Sequence, residues 1–272
     1  MEGEVYVINS GKGGVGKTTA TANVGSALAL RGHKVLLIDA DIGLRNLDVV
    51  MGLENRIVYD LVQVIEEVCQ PQQAMIRDKL TENLFLIPAA QTRDKTAVTG
   101  EQVKELCEKL KPDFDYILID SPAGIEQGFK NAMEAADKAI VVTTPDVAAI
   151  RDADRVIGFI EAAGLSKPEL ILNRVRPGMV RRGDMMTTED VLDLLSVQLL
   201  GLVPEDEKMI VSANRGVPVV HDMKSRSGEA FRRVAARVEG EDVPMLKLEV
   251  RDGLFTWLKK MVGIKGAVGA SA

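Results

Sequence analysis

Gly11, Lys12, Gly13, Gly14, Val15, Gly16, Lys17, Thr18 and Thr19 follow a short apolar run at 5–9 and precede a segment with helical spacing at 20–31. The loop satisfies G-x-x-x-x-G-K-[ST] in the strand-loop-helix setting that the pattern requires. Its chemistry is the cradling of phosphate oxygens. Glycines let successive backbone N–H groups converge without side-chain obstruction, and the helix N-terminus adds partial positive charge. Lys17 is placed to reach the β- and γ-phosphates of a nucleotide, and the Thr18 hydroxyl to bind Mg²⁺. A second lysine, Lys12, stands near the loop's entry. It can lie over the bound nucleotide, point toward a nucleotide held by another subunit, or stand solvated on the surface.

Phosphoryl chemistry also needs a metal shell, an oriented water and stabilisation of developing charge. Asp39 and Asp41 follow a second apolar run at 35–39, and Asp120 closes a further run at 116–120. In a parallel sheet the C-terminal strand ends face the ligand crevice, so these acids can converge beside Thr18; helix N-capping is the alternative employment for each. Asn173 ends a later run, where its amide can both donate to and accept from a base edge or simply form a turn.

These groups need a frame. Runs rich in Val, Ile and Leu recur at 5–9, 35–39, 84–88, 116–120, 139–143, 170–173 and 199–203, separated by stretches long enough for crossover helices. They show little polar alternation, as expected of strands covered on both faces. The expected fold is α/β, a doubly wound, mostly parallel sheet flanked by helices. The 272 residues, 46% apolar and 27% charged, suit such a body and exclude disorder or a disulfide scaffold. Net charge −6 argues against a general nucleic-acid binder. The start at Met1 shows neither a basic flank nor a cleavable apolar stretch, so a secretory leader is not expected. Cys69 and Cys107, both on segments read as helical, fit a reducing compartment without a disulfide.

The composition shifts after 240. An acidic Gly- and Pro-containing stretch reads as a linker, dividing the chain into a body at 1–240, a linker at 241–252, an amphipathic helix at 253–266 and a flexible tail at 267–272. At about 100° per residue, Leu254, Phe255, Trp257, Leu258, Met261 and Val262 share one half of a helical wheel, with Lys259 and Lys260 on the other. Such a face suits a helix lying in lipid headgroups as well as one docked on the body; the acidic linker and the terminal Trp with its lysines favour the anionic membrane. One copy would bind weakly, whereas two on a dimer gain effective concentration.

The sequence K-G-G-V-G-K-T-T at 12–19 resembles the deviant Walker A loop of the MinD/ParA family of SIMIBI-class P-loop ATPases. The stretches D-I-G-L-R-N-L-D at 41–48 and S-P-A-G-I-E at 121–126, with the amphipathic tail, resemble its septum-site branch. The resemblance implies a P-loop NTPase fold, ATP and Mg²⁺ as cofactors, and an ATP-dependent homodimer in which Lys12 crosses to the partner's phosphates. It implies that Asp41 positions the attacking water, that Asp120 holds Mg²⁺ through water, and that Asp39 supports the metal shell. Asn173 would hold adenine with the loop containing Pro204 and Glu205. Arg151, Asp152 and Asp154 would lie on the helix that receives MinC-like and MinE-like partners. The implied activity is a cell-division ATPase, cytoplasmic and reversibly peripheral on the inner membrane face. It recruits a division inhibitor and blocks FtsZ-ring assembly at wrong sites. A ParA-type DNA-partition ATPase is the rival; it should show a basic surface, and Arg174, Arg176, Arg181 and Arg182 form the only notable basic cluster.

Overall fold

The computed structural model describes residues 3–94 and 97–248. Its strands are β1 (Glu4–Asn9), β2 (Val35–Asp39), β3 (Ile76–Arg77), β4 (Leu84–Ile87), β5 (Tyr116–Asp120), β6 (Lys138–Thr143), β7 (Glu169–Val175) and β8 (Gln198–Pro204). They form one sheet in the order β3-β4-β2-β5-β1-β6-β7-β8. Every neighbouring pair is parallel except β3 with β4. All seven apolar runs expected as strands are strands of this sheet. From β1 the chain runs out to β2 and β3, returns through β4 to β5 beside β1, and then crosses to β6, β7 and β8 on the other side, so the C-terminal end of β1 sits at the reversal of strand order, where such folds bind ligands.

Among the described residues the helices are α1 (Lys17–Leu30), α2 (Leu47–Met51), α3 (Leu61–Ile65), α4 (Pro71–Ala74), α5 (Gly100–Leu110), α6 (Gln127–Glu134), α7 (Val147–Ala162), α8 (Pro177–Arg182), α9 (Thr188–Leu195), α10 (Glu207–Asn214) and α11 (Arg226–Val238). Successive residues of the central strands point to opposite faces and both faces are covered, which explains the unbroken apolar runs. On one face Val7, Ile38 and Ile119 pack with Val103, Phe129 and Ile160 from α5, α6 and α7. On the other, Ile8, Leu37 and Leu118 pack with Leu28 of α1 and Phe231 and Val234 of α11. Small and apolar residues run all round α1, as befits a helix held between the sheet and α11. Exposed capping residues set helix starts: Thr99 accepts from the Gln102 N–H while Gln102 returns a bond to the Thr99 N–H, closing a capping box on α5.

One sequence expectation changes. Cys107 lies in α5, but Cys69 lies in the turn between α3 and α4, since the chain leaves the helix through Glu67 in the left-handed region at φ 57° although Val68 continues the apolar spacing. Both thiols are free and buried. Residues 241–248 carry neither helix nor strand, yet they are strapped to α11. Arg237 donates to the Val243 carbonyl, Arg233 to that of Pro244 and Arg226 to that of Lys247, while Leu246 is buried. The expected amphipathic helix, with Leu254, Phe255, Trp257, Leu258, Lys259, Lys260, Met261 and Val262, and the tail at 267–272 lie outside the described residues. No helix among the described residues is long and apolar enough to cross a membrane.

Candidate functional site

The glycine-rich loop leaves β1 at Ser10 and enters α1 at Lys17. Its shape depends on Gly16, which caps α1 in the left-handed region at φ 98°. A Cβ there would also come within 2.4 Å of Asn173 Nδ2. Asn173 donates from that nitrogen to the Val15 carbonyl at 2.8 Å. The end of β7 therefore braces the loop directly. Gly11 packs on the backbone of α7 at Asp152, where an added Cβ would meet the carbonyl carbon at 2.2 Å.

Lys17 turns inward. Its Nζ lies 2.8 Å from Asp120 Oδ1, with side chains only 7% and 1% exposed. Thr21 Oγ1 also donates to that oxygen, at 2.9 Å. The second oxygen, Asp120 Oδ2, is buried without a hydrogen-bond partner. Parallel register sets Asp39 of β2 beside Asp120 of β5. Asp39 accepts from the Asp41 N–H at 3.0 Å and the Leu47 N–H at 3.2 Å, so it supports both the turn after β2 and the start of α2. Burial, reinforced by the charge of Asp120, pushes the Asp39 carboxyl up to about 7.

Asp41 is the acid of the three that reaches the cleft wall. With Gly13, Gly14, Lys17, Thr18 and Thr19 on one side and Pro122, Ala123 and Glu126 on the other, it lines a cleft of about 550 Å³. The 121–124 turn is tied to β1. Asn9 Nδ2 donates to Ser121 Oγ and to the Pro122 carbonyl, and the Gly124 N–H donates to the Ser10 carbonyl, all at 2.8 Å. Among the described residues no three acid, His or Cys side chains converge into a metal cage. What the residues offer a hard cation instead is a hydroxyl at Thr18, a carboxylate at Asp41 and the unpartnered oxygen of Asp120. That oxygen donor set fits Mg²⁺, which usually keeps several waters and is completed by substrate phosphates.

Lys12 points the other way, to the rim. Its Nζ meets Asp146 Oδ1 at 3.1 Å, with side chains 38% and 52% exposed. Asp146 caps α7 by accepting from the Ala149 N–H at 3.0 Å. On that helix Arg151 and Asp154 are exposed and Asp152 half-buried.

A second cavity, about 330 Å³, adjoins Gly16 and Thr19 and is lined by Asn173, Pro204 and Glu205, the residues that the resemblance implies for adenine. Glu205 pairs with Arg176 at 3.4 Å. The outer wall was not foreseen: it is α10, through Met209, Ile210, Ala213 and Asn214. No sequence pattern marks this wall, because the exposure of an apolar residue such as Ile210, at 65%, is invisible in a sequence. Asp206 holds this wall in place, capping α10 through the Lys208 N–H and accepting from Ser225 and Ser227 at the start of α11.

A parallel sheet with this loop at its reversal point, acids at adjacent strand ends and a cavity beyond defines a P-loop NTPase. Residues 3–170 match the AAA domain family AAA_31. The septum site-determining protein MinD of Bacillus subtilis is 52% identical over 266 residues, covering 97% of this chain and 99% of the relative. The MinC:MinD cell division protein complex of Aquifex aeolicus contains a chain 48% identical, with TM-score 0.83, covering 90% of this chain and 100% of that one. MinD of Pyrococcus horikoshii, solved with Mg-ADP, is 32% identical with TM-score 0.79, over 87% and 96% of the two chains. The chain belongs to the MinD family of septum site-determining ATPases.

Proposed function

We propose that this chain is a Mg²⁺-dependent ATPase that dimerises with ATP, binds anionic membrane through its C-terminal segment and recruits a MinC-like division inhibitor there, blocking FtsZ-ring assembly at wrong sites. The observation that carries the reading is the continuity of the two cavities across Gly16 and Thr19. A nucleotide's phosphates fit the glycine-rich side and its base the side of Asn173, Pro204 and Glu205. The Mg-ADP in the horikoshii relative and the MinC in the aeolicus relative support the ligand and the partner.

In this reading the N–H groups of 11–19 bind the phosphates, and Lys17 shifts its Nζ from Asp120 toward them. Mg²⁺, when bound, neutralises charge on the β- and γ-phosphate oxygens. Thr18 and Asp41 would hold it, with Asp120 acting through water and Asp39 fixing the turn that carries Asp41. Asp41 also orients the attacking water. Lys12 leaves Asp146 and supplies positive charge to the partner protomer's nucleotide. Asp146 keeps its cap on α7 through the Ala149 N–H, so the helix bearing Arg151, Asp152 and Asp154, where MinC-like and MinE-like partners would dock, stays formed. The domain division at 240, with the membrane segment from Leu254, belongs to the same proposal.

The test is sedimentation with anionic liposomes in ATP and in ADP, comparing the full chain with one ended before Leu254. ATP-dependent pelleting that disappears on truncation is the expected result. Equal recovery in the supernatant under all conditions would overturn the membrane role and turn attention to salt-dependent DNA binding.

A further inference from the structure

Beyond the loop lysines, the structure holds another cation at the nucleotide cleft. We propose that Arg174 binds the α-phosphate and ribose of the nucleotide, an assignment that rests on the nucleotide reading above. Arg174 follows Asn173 at the end of β7 and is exposed. With Gly16 and Thr19 it belongs to both cavities, the one by the glycine-rich loop and the one by Pro204. Residues common to the two mark the seam between them, and the part of a nucleotide that must cross a seam between phosphate and base sites is the ribose with its first phosphate.

Backbone geometry points the same way. Register between β7 and β8 runs Leu172 with Leu202 and then Val175 with Pro204, so β7 carries one extra residue at 173–174. Arg174 takes φ 56°, the left-handed region that a long side chain rarely adopts. Bulges recur beside active sites because they re-aim a side chain, and strained residues persist where the surrounding structure holds them. Asn173 holds this one, since its Oδ1 accepts from the Arg174 N–H at 2.9 Å while its Nδ2 is spent on the loop. Among the described residues no hydrogen bond or ion pair occupies the Arg174 guanidinium; the nearby carboxylate of Glu205 is paired with Arg176 instead. A free planar fork of donors suits a phosphate oxygen.

The experiment measures binding of fluorescent mant-ATP and mant-ADP with Mg²⁺ to the full chain and to Arg174→Ala, Arg174→Lys and Arg174→Gly. Charge-assisted bonds of this kind predict a loss of about 10-fold or more in Arg174→Ala, equal for the two nucleotides because both carry an α-phosphate. Arg174→Lys should recover part of it. Arg174→Gly relieves the left-handed strain, so it should melt no lower than wild type while losing affinity like Arg174→Ala. Wild-type affinity in Arg174→Gly would overturn the proposal, as would a loss confined to ATP, which would place the contact on the γ-phosphate. Absence of binding in the wild type would instead bring down the nucleotide reading itself. Binding in the wild type that Lys17→Ala abolishes and Arg174→Ala leaves intact would sink this proposal alone.

Discussion

Lys17 and Lys12 belong to one loop, yet Lys17 is 7% exposed against a buried Asp120 while Lys12 is 38% exposed against Asp146 at the rim. Coulomb attraction between opposite unit charges at nearly equal distance differs severalfold between such places, because water screens the outer pair. The inner lysine is therefore part of the fold as well as of the phosphate site, whereas the outer one is held by little and can change partner. A loop that must grip its own nucleotide and also reach another subunit needs both kinds.

The largest effect expected is on the inner end. Lys17→Ala leaves the Asp120 carboxylate without its counter-charge beside Asp39, and removing one partner of a buried pair costs about 3–5 kcal/mol. Urea denaturation should show that loss together with failure to bind mant-ATP. A variant as stable as wild type would erase the contrast between the two lysines. Gly16→Ala comes next, because it combines φ 98° with a 2.4 Å approach to Asn173. Left-handed backbone at a non-glycine residue costs roughly 1–3 kcal/mol. Displacement of Asn173 should also weaken nucleotide binding, and a lowered melting temperature with unchanged affinity would show that the brace from β7 does not shape the loop.

The inner end should also respond to pH. Folding raises the Asp39 carboxyl to about 7, so between about pH 4 and that value the native protein holds a proton that the unfolded chain has released. The Asp39 contribution to stability is complete below that window and is lost as pH rises through it. Comparing wild type with Asp39→Asn across the window should show wild type losing more stability than the variant on the way up. Parallel curves would mean that Asp39 does not titrate there.

The strands and the glycine-rich loop were legible because their signals are local: continuous apolar runs for strands covered on both faces, and a fixed spacing for the loop. Ile76 and Arg77 of β3 were not, since two residues cannot display a period. Cys69 was drawn into a helix because α3 stops at Ile65 without a glycine or proline to mark it. At the site, Asp39 and Asp120 could be named from strand ends, but their adjacency is a matter of register between β2 and β5, which hydrogen bonds far apart in sequence decide. The same holds for Asn173, legible as an amide at a strand end and found to spend one arm on the loop and the other on Arg174. The wall of α10 and the bulge at 173–174 left no mark, because exposure and an unpaired strand residue have no composition of their own.

The smallest stability effect should come from the outer end, and it sharpens the comparison most. Exposed ion pairs typically contribute under about 1 kcal/mol, so Lys12→Ala should unfold at nearly the wild-type urea concentration. Asp146 keeps its cap on α7 through the Ala149 N–H, which leaves the helix intact in the variant. If Lys12 serves a second protomer's nucleotide, the same variant should bind mant-ATP close to normally yet remain monomeric in ATP by light scattering. Lys17→Ala should instead fail already at binding. A Lys12→Ala chain that still dimerises with ATP would leave the outer lysine as a rim ion pair and nothing more. Dimer loss with stability kept would establish that exposure, rather than sequence position in the loop, divides the two lysines' work.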